Sequence, residues 1–257
     1  MEKPLLPTND FVFKKVFGEH VPILTDFLKN VLDLPDEDYK GLMIIDPHLS
    51  REKIEDKLGI LDIKIRTASK KMIDVEVQVQ PQRSIWKRMQ YYTARMLVEQ
   101  VQSGGKYENL TRAISILIAD FVLVKENGVC HNCFRLYDHK TGVSFPDSME
   151  VNILEIPKVR EDDGSALSNW LKFFASRTED EFMSVSQTNP AIAEAWGIIK
   201  TLSADEEARL LAESREKARM DFEDRCDGVQ KEKQQEIAQN LLREKLAPDL
   251  VAKTAGL

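Results

Sequence analysis

Two short stretches of the chain, Leu61–Ile65 (LDIKI) and Ile73–Val79 (IDVEVQV), alternate apolar and polar residues. A two-residue period is typical of a half-buried β-strand, because successive side chains of a strand point to opposite faces. The segment that joins them, Thr67–Lys71, is short and mostly polar. These three segments predict a β-hairpin in which each strand gathers its polar side chains on one face.

The polar face of this hairpin carries two acidic residues at matching positions. A hairpin centred on Ser69 places Asp62 directly opposite Glu76. Directly paired residues have Cβ atoms about 5 Å apart, and two like charges at that separation destabilise the pair. A divalent cation offsets such repulsion, and Mg²⁺ binds through one or two carboxylates together with water and substrate phosphates. The hairpin therefore predicts a metal site at Asp62 and Glu76.

The segments around the hairpin predict a mixed sheet flanked by helices. Thr8 and Asn9 are N-cap candidates for a first helix, which Gly18 interrupts. Ser84 can cap a helix that runs to about residue 102, and the apolar run Ala113–Val124 predicts a buried strand. A strand, a helix and a buried strand in succession predict a βαβ crossover with parallel strands. The other predicted segments are a helix at Pro22–Val31, an irregular stretch at Leu34–Pro47, and strands at Cys133–Tyr137 and Val151–Ile156.

The second part of the chain is helical in pattern. Apolar stripes at Leu167–Phe174 and Pro190–Ile199 predict two helices, and the charged run Ala204–Leu246 predicts a long exposed helix that is irregular near Asp227 and Gly228. The segment from Ile237 to the last residue predicts two short helices. The fold class is thus α/β, with a mixed central sheet flanked by helices in a core at 1–160, a helical completion at 161–203 and a charged helical extension at 204–257.

Composition narrows the class of protein. The 257 residues carry a net charge of -7, which excludes a passive basic coat for nucleic acid. Three cysteines, Cys130, Cys133 and Cys226, are too few for a disulfide scaffold. Glu2 and Lys3 follow the first residue where a signal peptide has its apolar region, and no apolar run reaches the ~18 residues of a membrane span. These features predict a cytoplasmic protein without a membrane partner.

An ordered set of motifs resembles one family. It consists of Asp10–Gly18 (DFVFKKVFG), Leu61–Lys64 (LDIK), Val75–Gln78 (VEVQ), Arg88–Tyr92 and Gly105–Tyr107. In this order the motifs resemble the Rpn family of recombination-promoting nucleases and putative transposases, in the PD-(D/E)XK nuclease superfamily. The resemblance covers residues 1 to about 160 well and the remainder loosely.

The resemblance implies a metal-dependent DNA endonuclease that hydrolyses phosphodiester bonds during recombination or transposition. It implies that Asp62 and Glu76 bind Mg²⁺ or Mn²⁺. Gln78 stands where superfamily members usually carry a lysine, and Gln can hydrogen-bond a water but cannot act as a cation or base. Lys64 lies two residues from Asp62 on the same strand face, so it is the candidate for the missing positive charge, with a surface role or an ion pair with Asp74 as the alternative.

Several assignments stay open at this stage. Arg88 and Tyr92 share one face of the predicted helix, where a functional and a structural role are equally compatible with the spacing. A helper carboxylate on the first helix could be Asp10 or Glu19. Cys130–Cys133 (CHNC) has ligand spacing but no second pair, which favours a loop.

The alternative to an active nuclease is a catalytically degenerate nuclease fold that serves as a nucleic-acid-binding or self-assembly module. The glutamine in place of lysine and the acidic net charge favour it. A third possibility is an intact site that acts on RNA. Apolar residues in the charged extension predict packing on the core or on a second copy, which would form a homodimer.

Overall fold

A six-stranded mixed sheet forms the centre of the protein, with strand order β1-β2-β3-β4-β6-β5. The structure is a computed structural model that describes residues 3–45, 63–101, 106–146, 149–160 and 164–243, together with residue 254. Asp62, a predicted metal ligand, lies outside the described residues. The strands are β1 (Met43–Ile45), β2 (Ile63–Arg66), β3 (Met72–Gln78), β4 (Ala113–Ala119), β5 (His131–Arg135) and β6 (Met149–Glu155).

The predicted hairpin is confirmed, with the predicted register. Strands β2 and β3 are antiparallel, and Ile63 pairs with Val75 and Ile65 with Ile73, which centres the hairpin on Ser69. The predicted βαβ crossover is confirmed as well, since β3 and β4 are parallel and one helix connects them. Strand β6 continues the parallel pairing on the other side of β4, and β5 returns antiparallel to β6.

The buried carboxylate of Asp38 stabilises the turn of this hairpin through hydrogen bonds. Asp38 Oδ1 accepts hydrogen bonds from Thr67 Oγ1 at 3.0 Å and from the Ser69 N–H at 3.1 Å. Its Oδ2 accepts one from Lys71 Nζ at 2.8 Å. Burial opposes ionisation of Asp38, but these hydrogen bonds, first that of Lys71, outweigh it and lower the pKa to about 2. The turn also contains Lys70 at a φ of 68°, a left-handed backbone conformation that residues other than glycine rarely adopt.

Helices cover both faces of the sheet. The α-helices of the described residues are α1 (Asp10–Phe13), α2 (Val21–Val31), α3 (Asp36–Tyr39), α4 (Ile85–Val98), α5 (Ala166–Ala175), α6 (Glu179–Ser186), α7 (Pro190–Ala204) and α8 (Glu206–Arg243), and a π-helical turn lies at Lys14–Gly18. Asn9 caps α1 as predicted, because its side chain accepts from the N–H groups of Phe11 and Val12.

Helix α4 lies on the face of the sheet that carries the polar residues of β3. Its buried Ile85 and Met89 pack in one cluster with Leu117 of β4. The π-helical turn lies on the opposite face, where a Cβ added at Gly18 would come within 3.9 Å of Ile63. On that face, aromatic rings from the helices pack against one another, with centroids 4.4 to 6.3 Å apart. They belong to Phe13, Phe17, Phe27, Trp170, Phe173, Phe174, Phe182 and Trp196.

Covering both faces changes the environment of β3. Its alternation predicts a half-buried strand, but six of its seven residues are buried. Asp74 is 3% exposed and Glu76 is 8% exposed. The prediction of a half-buried strand is therefore wrong, because α4 covers the polar face and removes the carboxylates from water.

Other sequence predictions also need correction. The stretch Leu34–Pro47 contains α3 and β1 and is not irregular, since β1 is held by pairing with β2 and α3 by the contacts of Asp38. The buried strand ends at Ala119, because the N–H groups of Leu123 and Val124 turn to bond the Glu155 carboxylate.

The helices differ from prediction in three places. Helix α4 ends at Val98, and Ser84 makes no capping hydrogen bond. Helix α6 was not predicted, although Thr178 and Glu181 form a capping box at its start. Helix α8 runs unbroken to Arg243, so neither the irregularity near Asp227 nor the first short helix at 237–242 exists as a separate feature.

The chain forms two compact units, Met1–Arg209 and Leu210–Leu257. The first contains the sheet and the helices packed on it. Of the helices within the described ranges, none combines the length and apolar character needed to cross a bilayer.

Candidate active site

The predicted ligand Glu76 lies near the carboxyl end of β3, under the start of α4. Its Oε1 accepts a hydrogen bond from Arg88 Nη2 at 2.5 Å and another from Gln78 Nε2 at 2.6 Å. Both bonds end on Oε1, and Oε2 receives none from the part of the chain that the structure describes. The structure thus brings Glu76 and Gln78 together as predicted by their spacing, and adds Arg88 to them.

A second glutamine extends this cluster. Gln82 Oε1 accepts from Arg88 Nη1, and Gln82 Nε2 lies 3.5 Å from Gln78 Oε1. The side chains of Glu76, Gln78, Gln82 and Arg88 therefore form one continuous network, which we call the Glu76 cluster. It places a carboxylate, a guanidinium and two amides at one end of the strand.

The βαβ crossover is the reason that these residues meet. Gln82 lies in the short loop after β3, and Arg88 lies in the first turns of α4. In open α/β sheets, the loops and helix starts that follow the carboxyl ends of parallel strands surround a crevice in which ligands bind. The ion pair of Arg88 and Glu76 is largely shielded from water, with side-chain exposures of 21% and 11%. Shielding from water strengthens the attraction and holds both side chains in place.

Lys64, the predicted source of positive charge, has another partner. Its Nζ forms an ion pair with Glu99 Oε2 just beyond the C-terminal end of α4. Glu99 also accepts from Arg95 Nε at 2.8 Å. Burial disfavours the charged form of Glu99, but Lys64 and Arg95 outweigh it and lower its pKa. Lys64 pairs with Asp74 in the strand register, so it lies on the same sheet face as Glu76.

The open candidates of the sequence analysis occupy different places. Tyr92 is buried on α4, with its ring 5.3 Å from that of Tyr91. The Asp10 carboxylate accepts from the Phe11 N–H, and Glu19 forms a surface ion pair with Lys15 at 2.7 Å. Asp10 and Glu19 flank the helices of the face opposite to α4.

The CHNC segment forms part of a separate polar cluster on β5 and β6. His131 Nε2 is 2.8 Å from Asn152 Oδ1, and the buried Glu150 carboxylate accepts from Arg135 Nε at 2.8 Å. Cys133 lies beside them, and burial together with the charge of Glu150 raises the pKa of its thiol. The loop predicted for this segment is wrong from His131 onward, because His131, Asn132 and Cys133 pair with β6 as the start of β5.

The oxygen donors of the Glu76 cluster suit a hard divalent cation. Glu76 supplies a carboxylate whose Oε2 is unoccupied by described residues, and Gln78 supplies an amide oxygen beside it. Mg²⁺ and Mn²⁺ prefer oxygen ligands and need only one or two carboxylates when water and phosphate complete the shell. Within the described ranges, no group of three His, Cys, Asp or Glu side chains converges on one point. The cluster therefore fits a shared ion, bound partly by substrate, and not a closed protein cage.

Two residues of this architecture were missed by sequence reasoning. Gln82 carries no periodic signal, although its place directly after a motif-bearing strand is where functional loop residues concentrate. Asp38 was missed because its segment was assigned as irregular, although Pro35 followed by three acidic residues signals a helix start.

Comparison with known proteins gives a family match. A family model described as PD-(D/E)XK nuclease family transposase matches residues 7–228. No curated protein and no solved structure matches the chain.

Proposed function

Because the chain belongs to the PD-(D/E)XK nuclease family of transposases, we propose that it is a metal-dependent endonuclease that hydrolyses phosphodiester bonds of DNA during transposition or recombination. Nucleases of this superfamily generally use divalent metals, and we assign Mg²⁺ or Mn²⁺ to this site. The single observation that carries the proposal is the Glu76 cluster, in which a shielded carboxylate, a guanidinium and two amides meet at the carboxyl end of β3.

Each member of the cluster has a role that its chemistry permits. Glu76 binds the metal ion through its carboxylate. The ion, when bound, polarises the phosphoryl group and lowers the pKa of a bound water. Gln78 orients the attacking water through its amide, since it can donate and accept hydrogen bonds but cannot take up a proton at neutral pH. Gln82 holds Arg88 in position.

Arg88 is the better candidate for the positive charge near the phosphate. Its Nη2 is 2.5 Å from Glu76, whereas the ammonium of Lys64 is bound to Glu99. A guanidinium matches phosphate geometry with paired donors, and Arg88 Nε is buried without a hydrogen-bond partner among described residues. We propose that Arg88 would turn from Glu76 toward a phosphate oxygen, because a Glu76 carboxylate that held a metal ion would no longer need the guanidinium as its partner. The role predicted for Lys64 stays a prediction and requires its release from Glu99.

Asp62 remains the proposed second metal ligand. The sequence pattern predicts Asp62 opposite Glu76, and the observed pairing of Ile63 with Val75 has the register on which that prediction depends.

A plasmid-nicking assay tests the proposed function. The wild type should cut DNA with Mg²⁺ or Mn²⁺ and not with EDTA. Glu76→Gln preserves the size of the side chain but removes its charge, and should abolish both cutting and any rise in melting temperature caused by the metal. Glu37→Gln is the matched control, because Glu37 forms an exposed surface pair with Lys40 at 2.6 Å. Equal cleavage by wild type and Glu76→Gln would sink the assignment.

The alternative function is a catalytically degenerate nuclease fold that binds nucleic acid or assembles with itself. One observation favours it: Arg88 already neutralises Glu76, so the pair is compatible with a purely structural role. This alternative predicts that the wild type binds DNA but leaves plasmid intact with every divalent ion. It also predicts that Glu76→Gln destabilises the protein without changing DNA binding.

A further inference from the structure

Exposed cations lie around the start of α4, although the protein is acidic overall. The net charge of the chain is -7, yet residues 77–98 contain four cations, Arg83, Lys87, Arg88 and Arg95, and no acidic residue. Arg88 points inward to Glu76, and Arg95 is paired with Glu99. The others, Arg83 and Lys87, are exposed, and neither forms an ion pair within the described ranges.

Two aromatic side chains of this helix are exposed, Tyr91 one turn after Lys87 and Trp86 on the side toward β5. Tyr91 is 60% exposed and Trp86 is 37% exposed. Trp86 leans on the half-exposed Phe134 of β5, with ring centroids 5.6 Å apart in an edge-to-face arrangement. Aromatic rings that remain accessible between unpaired cations form the combination that single-stranded nucleic acid uses, with phosphates on the cations and bases stacked on the rings.

Helix geometry connects this surface with the Glu76 cluster. Tyr91 is three residues after Arg88 and four after Lys87, and residues at these spacings are neighbours on a helix surface. Arg88 reaches the Glu76 carboxylate. A DNA strand that contacts Lys87 and Tyr91 therefore lies next to Arg88, whose side chain belongs to the Glu76 cluster.

We propose that the surface formed by Arg83, Trp86, Lys87 and Tyr91, the α4 surface, binds an unpaired DNA strand and presents its backbone to the Glu76 cluster. The inference rests on the proposed function for the fate of the strand, because binding alone does not require cleavage. It assigns a substrate class, unpaired DNA or the separated end of a duplex, that the family match does not name. Charge complementarity selects a polyanion, and the accessible rings select bases that are free to stack.

Fluorescence anisotropy of the full-length protein tests the α4 surface. A labelled oligonucleotide is measured as a single strand and after annealing to its complement, in EDTA and over a salt series. Tyr91→Ala should weaken single-strand binding about tenfold, which is the size of one base-stacking contact, and leave duplex binding unchanged. Tyr91→Phe keeps the ring and should bind like the wild type. Lys87→Ala should weaken both forms and lower the single-strand salt slope by about 0.7.

Two control variants separate local from general effects. Gln90→Ala alters an exposed neutral residue of the same helix, and Lys200→Ala removes one positive charge from α7, where Lys200 lies 3.6 Å from Glu179. Neither should change single-strand binding by as much as Lys87→Ala. Equal loss with Lys200→Ala would mean that only net charge matters and would overturn the proposal.

The outcomes distinguish this inference from the proposed function. If the wild type cuts plasmid while Tyr91→Ala and Lys87→Ala bind single strands like the wild type, the α4 surface is refuted and the nuclease stands. If no metal supports cutting but Tyr91→Ala loses single-strand binding selectively, the surface stands and the nuclease assignment fails. Equal loss of single-strand and duplex binding by Tyr91→Ala would also refute the surface, because stacking requires unpaired bases.

Discussion

The hairpin that positions Glu76 depends on one buried carboxylate, and Asp38→Asn tests that dependence. Asp38 is 3% exposed, and three groups of the turn bond to its side chain. The substitution keeps a side chain of the same shape and an acceptor oxygen for the turn. It removes the negative charge of the Oδ2 atom that accepts a hydrogen bond from Lys71 Nζ at 2.8 Å.

The expected loss of stability can be expressed in two ways, as a hydrogen-bond energy and as a pKa shift, which describe the same contacts of Asp38. A hydrogen bond to a charged group contributes about 1.5–3 kcal/mol to stability. Lowering the pKa of Asp38 from 3.8 to about 2 corresponds to about 2 kcal/mol, since each pH unit is worth 1.36 kcal/mol. Asp38→Asn should therefore lower the free energy of unfolding by about 2 kcal/mol at neutral pH, measured by urea denaturation.

The pH dependence of the loss has a definite sign. A carboxylate whose pKa is lower in the folded state stabilises the protein above its ordinary value of 3.8 and loses that contribution as pH falls toward 2. The difference between wild type and Asp38→Asn should thus be constant near neutrality and shrink below pH 4. Asp36→Asn is the control, because Asp36 is 82% exposed in its pair with Lys29 and should cost under about 1 kcal/mol. A loss for Asp38→Asn that matches this control, or that persists at low pH, would refute the reasoning.

Two further predictions concern the origin of positive charge and the role of the long helix. If Arg88 supplies the positive charge near the phosphate, Arg88→Ala should lower kcat in plasmid nicking by about 10²- to 10³-fold, and Arg88→Lys should retain part of the activity. Lys64→Ala should have a kcat close to that of the wild type. A large loss with Lys64→Ala and a small one with Arg88→Ala would instead assign this role to Lys64. If α8 mediates homodimer formation, a truncated chain that ends after Arg209, the last residue of the first compact unit, should sediment as a monomer. It should keep metal-dependent nicking but produce nicks in place of double-strand breaks. An unchanged sedimenting mass would contradict this prediction.

The site was predictable from sequence only in part. The spacing of Glu76 and Gln78 places both on one strand face, and the structure joins them at 2.6 Å. Their connection to Arg88 was not predictable, because periodicity reports which face of α4 a residue occupies but not which strand residue it meets. The partner of Lys64 was missed for the same reason, since Glu99 is 35 positions away along the chain.

Local periodicity by itself determined the hairpin, its register around Ser69 and the βαβ crossover, because strand alternation, turn length and the handedness of connections act over neighbouring residues. Tertiary structure alone decided that the polar face of β3 is buried, since only the docking of α4 removes Glu76 from water. It also decided that Met43–Ile45 becomes a strand, because three residues gain that structure only by pairing with β2. The sequence therefore determines the sheet face on which the Glu76 carboxylate lies, whereas the packing of α4 determines that Arg88 is its ion-pair partner.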